Sequence, residues 1–116
     1  MERIVAVDGD HIVGSALLMP PSDDAYTGLG VRVTAPEVRL VAVEPSERGR
    51  GIARALMAEC LRRARASGAT EVGLHSSRSM KAAIRMYERM GFQRAPETDF
   101  QPPDAELVMG FRLSLA

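Results

Sequence analysis

The feature that most constrains the fold is an apolar strand that passes through a glycine-containing turn directly into a helix. Residues 38–43 are apolar apart from Arg39, the turn contains Gly49 and Gly51, and apolar residues recur at helical spacing from Ile52 to Ala64. An uninterrupted apolar run is typical of an interior strand. A strand, a helix and a further strand at residues 70–76 predict a parallel pair with a right-handed crossover.

The remaining elements complete one α/β domain over residues 1–116. Two apolar runs, residues 4–7 and 12–18, are joined by Asp8-Gly9-Asp10-His11 and predict a β-hairpin. We expect a loop at residues 19–35, a second helix at 79–90 that Gly91 ends, and strands at 92–95 and 106–115. The predicted order is β-β-β-α-β-α-β-β.

The composition limits which cellular compartment and which kinds of metal site we expect for this chain. Cys60 is the single cysteine among 116 residues, so the chain can form neither an internal disulfide nor a cysteine-based zinc site. No apolar stretch approaches the roughly 18 residues of a membrane span. The N-terminus lacks the features of a secretory signal. We expect a cytoplasmic protein that binds neither a membrane nor a metal.

Charge is neutral overall and uneven along the chain. Residues 48–94 carry 11 basic and 3 acidic side chains, whereas residues 1–47 carry 3 and 8. Most of these arginines are expected on solvated helix faces. The chain has no net charge, so it lacks the broad basic surface that nucleic acid requires. Only 4% of its residues are aromatic, so it also lacks stacking platforms for bases. A small polyanion is the better fit to the middle segment.

The glycine turn is the predicted site for that anion. Glycines allow close backbone approach, and the first turn of a helix presents unpaired N–H groups together with about half a positive charge. Arg48, Arg50 and Arg54 are expected to reinforce it. A nucleoside triphosphate P-loop is excluded because the single lysine, Lys81, lies in the other helix. A dinucleotide fingerprint is disfavoured because Arg54 stands where its last glycine belongs.

Two motifs identify a family resemblance that extends over residues 2–116. The turn Arg48-Gly49-Arg50-Gly51-Ile52-Ala53 matches the Arg/Gln-x-x-Gly-x-Gly/Ala loop of the GNAT superfamily of N-acetyltransferases. The segment from Ala83-Ile84 through Tyr87 to Gly91-Phe92 resembles the family's Ala-Ile-x-Leu-Tyr-x-x-x-Gly-Phe pattern. The resemblance implies a mixed, mostly antiparallel sheet with a central splayed parallel strand pair and two helices.

The resemblance implies acetyl-CoA as co-substrate, with no metal. Backbone amides of the turn would hold its pyrophosphate, at Arg48, Gly49, Arg50, Gly51, Ile52 and Ala53. The exposed backbone of the strand would pair with the pantetheine arm at Val41, Ala42 and Val43. Main-chain groups serve this purpose with any side chain, so an entirely apolar strand is compatible with it.

The same resemblance assigns acid and base candidates for acetyl transfer to a primary amine. Tyr87 is the expected acid, because a phenol of pKa about 10 can protonate a thiolate whose conjugate acid lies near 8.5. His75 is the first candidate base. Glu37 is the second, and as a partly exposed carboxylate it would need a raised pKa. Ordered water remains a third. Cys60, on the apolar stripe of its helix, is expected to be core.

Two departures qualify the resemblance. Met80 replaces an asparagine that typical members carry three residues before the Ala-Ile pair. Typical members also place a strand and helices ahead of the hairpin, so we expect an acceptor site that is open, completed by a second subunit or cut away. The exposed hairpin edge predicts a homodimer. The alternatives to an enzyme are a non-catalytic acyl-CoA-binding module and a fragment of a longer acetyltransferase; the loops at 20–36 and 96–104 do not name an acceptor.

Overall fold

A six-stranded mixed sheet carries two helices in this computed structural model, which describes residues 1–26 and 31–115. The sheet order is β1-β2-β5-β6-β8-β7, antiparallel throughout except for the parallel β5–β6 pair, and β3 pairs with β4 separately. The strands are β1 Glu2–Asp8, β2 His11–Met19, β3 Ser22–Tyr26, β4 Val31–Val33, β5 Glu37–Val43, β6 Glu71–Ser77, β7 Gln93–Arg94 and β8 Val108–Ser114. The helices are α1 Ile52–Ala66 and α2 Lys81–Arg89. The predicted fold class is confirmed.

Two details of the predicted element map were wrong. The expected loop at residues 19–35 contains the antiparallel pair β3–β4, because a short hairpin needs only backbone pairing, which a turn-rich composition does not prevent. The last strand begins at Val108 rather than at Glu106. The Glu106 carboxylate instead accepts a hydrogen bond from the Ser79 N–H at 2.7 Å, ahead of α2.

The core lies on one face of the sheet, and both helices contribute to it. The registers place Leu18, Val38, Leu74 and Phe111 in one row across β2, β5, β6 and β8. This row joins the same core as α1 and Tyr87 of α2. Met57 and Cys60 of α1 are completely buried. Burial of a large apolar side chain contributes about 1.5–3 kcal/mol, so this face supplies most of the stability.

The opposite face carries polar side chains that share a register. Glu37 of β5 lies opposite Gly73 of β6, and His75 follows two residues later on the same face. The turn Pro96–Thr98 and the ring of Phe100 lie over this region, with the His75 and Phe100 ring centroids 5.1 Å apart. Neither described helix is long and apolar enough to cross a bilayer.

The two parallel strands separate after only two paired positions. β5 and β6 pair at Glu37–Gly73 and Val38–Leu74, and no further register position joins them among the described residues. Leu40 has a positive φ of 52° and is 75% exposed, and the β2–β5 register shifts between Ser15 and Leu17. This irregularity is a bulge, and bulges bend the strand that contains them. The splayed pair implied by the family resemblance is therefore present.

Candidate functional site

The glycine turn presents an uncapped helix N-terminus. Gly49 and Gly51 have φ of +85° and +78°, and a Cβ at either position would meet nothing within 4 Å. Conformation rather than space therefore favours glycine here. No side chain caps α1 among the described residues, and the bond that closes its first turn runs from the Ala55 N–H to the Gly51 carbonyl at 3.0 Å. The amides of Ile52, Ala53 and Arg54 precede that bond and remain available to an anion.

Gly14 of β2 allows this helix end to approach the sheet. A Cβ on Gly14 would lie 2.9 Å from Ile52 Cγ2, 3.1 Å from Leu56 Cδ1 and 3.1 Å from the Ala42 carbonyl oxygen. Contacts this short require the neighbouring atoms to move. Gly14 therefore sets how closely the turn and the first turn of α1 sit against β5.

Arg50 is engaged by two carboxylates, which the sequence prediction did not anticipate. Its guanidinium is hydrogen-bonded to Glu47 and lies 3.4 Å from Asp8 Oδ2. The hydrogen bond to Glu47, followed by that to Asp8, raises the pKa of Arg50. Arg48 and Arg54 are exposed. An anion at the turn therefore meets the amides first, and Arg50 only by exchange with its present partners.

The backbone of β5 directs polar groups into the gap between the splayed strands. The Glu44 N–H donates to the Val13 carbonyl of β2 at 2.8 Å. Successive residues of a strand direct their N–H and C=O groups to opposite edges, so Val43 and Val41 direct theirs toward the gap. This edge can accept an extended chain as an added strand.

Tyr87 lies on the helix-bearing side, where apolar rings surround it. The residue is 8% exposed, and its ring centroid lies 6.0 Å from that of Phe92 and 6.5 Å from that of Phe111. Burial raises the pKa of the Tyr87 phenol. The hydroxyl is consequently protonated at neutral pH and can serve as a proton donor.

The two candidate bases, treated as alternatives from the sequence, form one buried pair. His75 Nδ1 lies 2.9 Å from Glu37 Oε1, and both side chains are almost fully buried. The expectation that Glu37 is partly exposed was wrong: the residue is 2% exposed, because it faces inward between β6 and the Pro96–Thr98 turn. The Arg39 Nε lies 3.5 Å from the same carboxylate oxygen.

Both ring nitrogens of His75 face oxygen atoms, which restricts where protons can lie. His75 Nε2 is 2.9 Å from the Thr98 carbonyl oxygen, which can only accept, so Nε2 carries a proton. A second proton must then lie between Nδ1 and Glu37, since two lone pairs would repel at 2.9 Å. Burial lowers the pKa of His75, but the hydrogen bond and charge of Glu37, with the Thr98 carbonyl, outweigh burial and raise it.

Sequence reasoning missed the Pro96–Thr98 turn and its support. The only available signal was Gly110, since a glycine inside a strand marks a bulge or a close backbone approach. Gly110 lies directly opposite His75 in the β6–β8 register. A Cβ on Gly110 would overlap Thr98 Oγ1, so glycine permits the turn to cover this face.

Cys60 is confirmed as a core residue. Its side chain is completely buried, and burial raises the pKa of the thiol to about 11. A thiol with that pKa is a poor nucleophile at neutral pH. Nothing in its surroundings supports a covalent acetyl-cysteine intermediate.

A small cavity of about 60 Å³ adjoins the buried pair. It is bordered by Glu37, His75 and Thr98 and by strand residues that include Gly73 and Arg112. Glu71 also borders it, so two carboxylates and one guanidinium face the same space.

Comparisons with known proteins agree on one family and one fold. Residues 1–92 match the sequence profile of the Acetyltransferase (GNAT) family. A mycothiol acetyltransferase of Geodermatophilus obscurus is 34% identical over 92 residues, 78% of this chain and 28% of that protein. The chain thus spans less than a third of that relative's length.

Solved structures show the same architecture. A Bacillus subtilis acetyltransferase in complex with CoA superposes with a TM-score of 0.77 at 17% identity, over 98% of this chain and 76% of that one. A ribosomal-protein-alanine N-acetyltransferase from Brucella melitensis superposes with a TM-score of 0.75 at 22% identity, over 97% and 68%. At these identities the superpositions establish the fold.

Proposed function

Since the chain belongs to the GNAT family of acetyltransferases, we propose that it transfers the acetyl group of acetyl-CoA directly to a primary amine of a small molecule or peptide. The observation that carries the proposal is the uncapped N-terminus of α1, which lies at the end of a strand whose partner has separated from it. A phosphate-binding end and an unpaired strand edge together match a long, anionic ligand with an amide-containing arm.

Two backbone surfaces would bind the co-substrate. Amides of the turn, from Arg48 to Ala53, would hold the pyrophosphate, supported by the positive end of the α1 dipole. The β5 edge at Val41, Ala42 and Val43 would pair with the pantetheine arm. In this arrangement the thioester lies in the gap between β5 and β6, which opens after Val38 and Leu74.

Transfer requires two proton movements that the chain can serve from opposite sides. The amine nitrogen attacks the thioester carbonyl, a C–N bond forms and the C–S bond breaks. Tyr87, protonated and on the helix-bearing side, would give its proton to the departing sulfur. The amine must lose a proton on the other side, where Glu37 and His75 lie. Their position supports a role for the pair as base, directly or through a water molecule.

The experiment is an acetyl-transfer assay against a panel of primary amines, alongside calorimetric binding of acetyl-CoA. Tyr87→Phe removes one oxygen and keeps the ring contacts with Phe92 and Phe111. The proposal expects turnover to fall by about 100-fold or more with binding retained. Binding by the wild type without turnover on any amine would instead support a non-catalytic acyl-CoA-binding module. A folded wild type that does neither would support the fragment interpretation.

A further inference from the structure

We propose that the Pro96–Thr98 turn is a positioning element for His75: the Thr98 carbonyl accepts a hydrogen bond from the Nε2–H, so that Nδ1 always faces Glu37. This inference rests on the proposed function for its catalytic meaning, whereas the placement of the proton can be measured without any assay. The turn contributes a backbone carbonyl, and its position is set by Arg94, Asp99 and Gly110.

The first support is steric. Gly110 lies opposite His75 in the β6–β8 register, on the face that the turn covers. A Cβ on Gly110 would overlap Thr98 Oγ1 and would lie 3.0 Å from the Thr98 Cβ and 3.1 Å from the Ala95 carbonyl oxygen. Any larger residue at position 110 would force the turn outward. The absence of a side chain at position 110 therefore lets the turn lie where the Thr98 carbonyl contacts His75 Nε2.

The second support is a set of hydrogen bonds that ties both ends of the turn to β8. Asp99 Oδ1 accepts the Gly110 N–H at 2.7 Å, and the Ala95 N–H donates to the Gly110 carbonyl at 2.9 Å. Arg94 donates to both oxygens of Asp99, at 2.8 and 2.7 Å, and to the Gly110 carbonyl at 2.7 Å. The turn is therefore held from before its first residue to after its last.

The third support is the pair's proton count. With Nε2–H directed at Thr98, the second proton of the pair lies between Nδ1 and Glu37, which are 2.9 Å apart. A ring free to flip would present either nitrogen to Glu37 and would lose this single arrangement. Fixing the ring thus fixes which atom exchanges protons with the carboxylate.

Several charged groups face His75, and each of them can affect the pH at which His75 titrates. Glu37 and Arg39 face it from β5, and Asp99 faces it from the segment after the turn. Glu71 of β6 and Arg112 of β8 border the same cavity. A variant that moves the turn without changing any of these charges is therefore the informative one.

The test is ¹⁵N NMR of the histidine rings in the full chain, which contains two histidines. His11, exposed at the start of β2, gives a second set of ring signals in the same sample. In the wild type we expect a slowly exchanging His75 Nε2–H and a His75 titration midpoint above the ordinary histidine value of about 6.5. In Gly110→Ala we expect that Nε2–H signal to be lost and the His75 midpoint to fall.

Matched variants separate the turn from general damage. Gly73→Ala adds the same methyl group to the neighbouring strand, where its nearest contact would be an ordinary 3.6 Å, and should leave the His75 signals unchanged. Thr98→Ala keeps the carbonyl and should also preserve them. If Gly110→Ala does not fold, Arg94→Gln loosens the turn without adding bulk or changing a charge that contacts His75 directly. A folded Gly110→Ala or Arg94→Gln with wild-type His75 signals would overturn the inference.

Activity separates this inference from the proposed function. If the wild type transfers acetyl groups, the acidic limb of its kcat–pH profile should move in Gly110→Ala and stay in Gly73→Ala. If the wild type transfers none, but the His75 Nε2–H depends on Gly110, the proposed function fails while the positioning of His75 stands. If the protein is active but its His75 signals are insensitive to position 110, the positioning of His75 by the turn fails while the proposed function stands.

Discussion

His75 Nδ1 lies 2.9 Å from Glu37 Oε1, joining two residues 38 positions apart into one buried pair. The pair lies on the sheet face opposite the helices, just where β5 and β6 begin to separate. The fold therefore places the Tyr87 phenol on the helix-bearing face of the sheet and the Glu37–His75 pair on the opposite face.

The pair makes stability depend on pH in a defined direction. The pKa of His75 is raised in the folded state. A group of this kind adds stability that is fully present below its unfolded pKa, about 6.5, and is lost as pH rises through the folded value. The free energy of unfolding should therefore decrease above pH 6.5. Urea titrations at several pH values between 6 and 9 measure this decrease in the free energy of unfolding.

Glu37→Gln should reduce that dependence, since it removes the charge that raises the pKa of His75. It should also cost about 1–2 kcal/mol at pH 6, because the glutamine oxygen still accepts the Nδ1 proton but carries no charge. The matched control is His11→Ala, which removes an exposed histidine and leaves the Glu37–His75 pair intact. An unchanged slope in Glu37→Gln would contradict the pairing.

Gly14→Ala should destabilise the protein and weaken acetyl-CoA binding together. The added methyl group meets Ile52, Leu56 and the Ala42 carbonyl at 2.9–3.1 Å, and overpacking of this kind costs about 1–3 kcal/mol. Gly73→Ala in β6 is the matched control for the unfolding measurement. Loss of stability with unaltered binding would show that the approach of α1 does not shape the anion site.

Cys60 should be inert to thiol reagents in the native state, since its pKa is raised to about 11 and its side chain is buried. We expect labelling by iodoacetamide to proceed at the unfolding rate and to accelerate in denaturant. Cys60→Ala should lose about 1–2 kcal/mol of stability and keep acetyl transfer. Rapid native labelling that abolishes transfer would restore a catalytic role for the thiol.

The edge strand β1 leads us to propose a homodimer. Val5 and Val7 are 43% and 58% exposed, and among the described strands β1 pairs only with β2. Exposed apolar side chains on an unpaired edge favour strand addition, and a lysine there opposes it. Sedimentation at micromolar concentration should give twice the chain mass for the wild type and one chain for Val7→Lys. A monomeric wild type at this concentration would contradict the proposed homodimer.

The local elements were predictable because their signals are local. The strand, glycine turn and helix around Gly49 and Gly51 follow one another in sequence, and Cys60 lies on a regular apolar stripe. The Glu37–His75 contact depends on the parallel register of β5 and β6, which no nearby residue encodes. The Arg50–Asp8 contact joins residues 42 positions apart through the hairpin, so it could not be predicted from the sequence either.

The turn over His75 was missed for a related reason. Gly110 is meaningful only once β8 is paired with β6 and the Pro96–Thr98 turn is folded back over both. The role of Gly110 depends on long-range packing. From the sequence alone, a glycine inside a strand indicates only that some other backbone segment approaches closely.

Calorimetric titration of acetyl-CoA into wild type, Gly51→Asp and Gly68→Asp tests the proposed pyrophosphate site at the N-terminus of α1. Gly51 and Gly68 flank opposite ends of α1, and both have positive φ. A Cβ added at either position would meet no atom within 4 Å. Both variants therefore place an aspartate at a left-handed glycine position and add the same charge, but only Gly51→Asp places a carboxylate at the proposed pyrophosphate site. We predict micromolar binding by the wild type and by Gly68→Asp, and about tenfold or greater weakening in Gly51→Asp. Equal affinity in all three folded proteins, or no binding by the folded wild type, would contradict the proposed site.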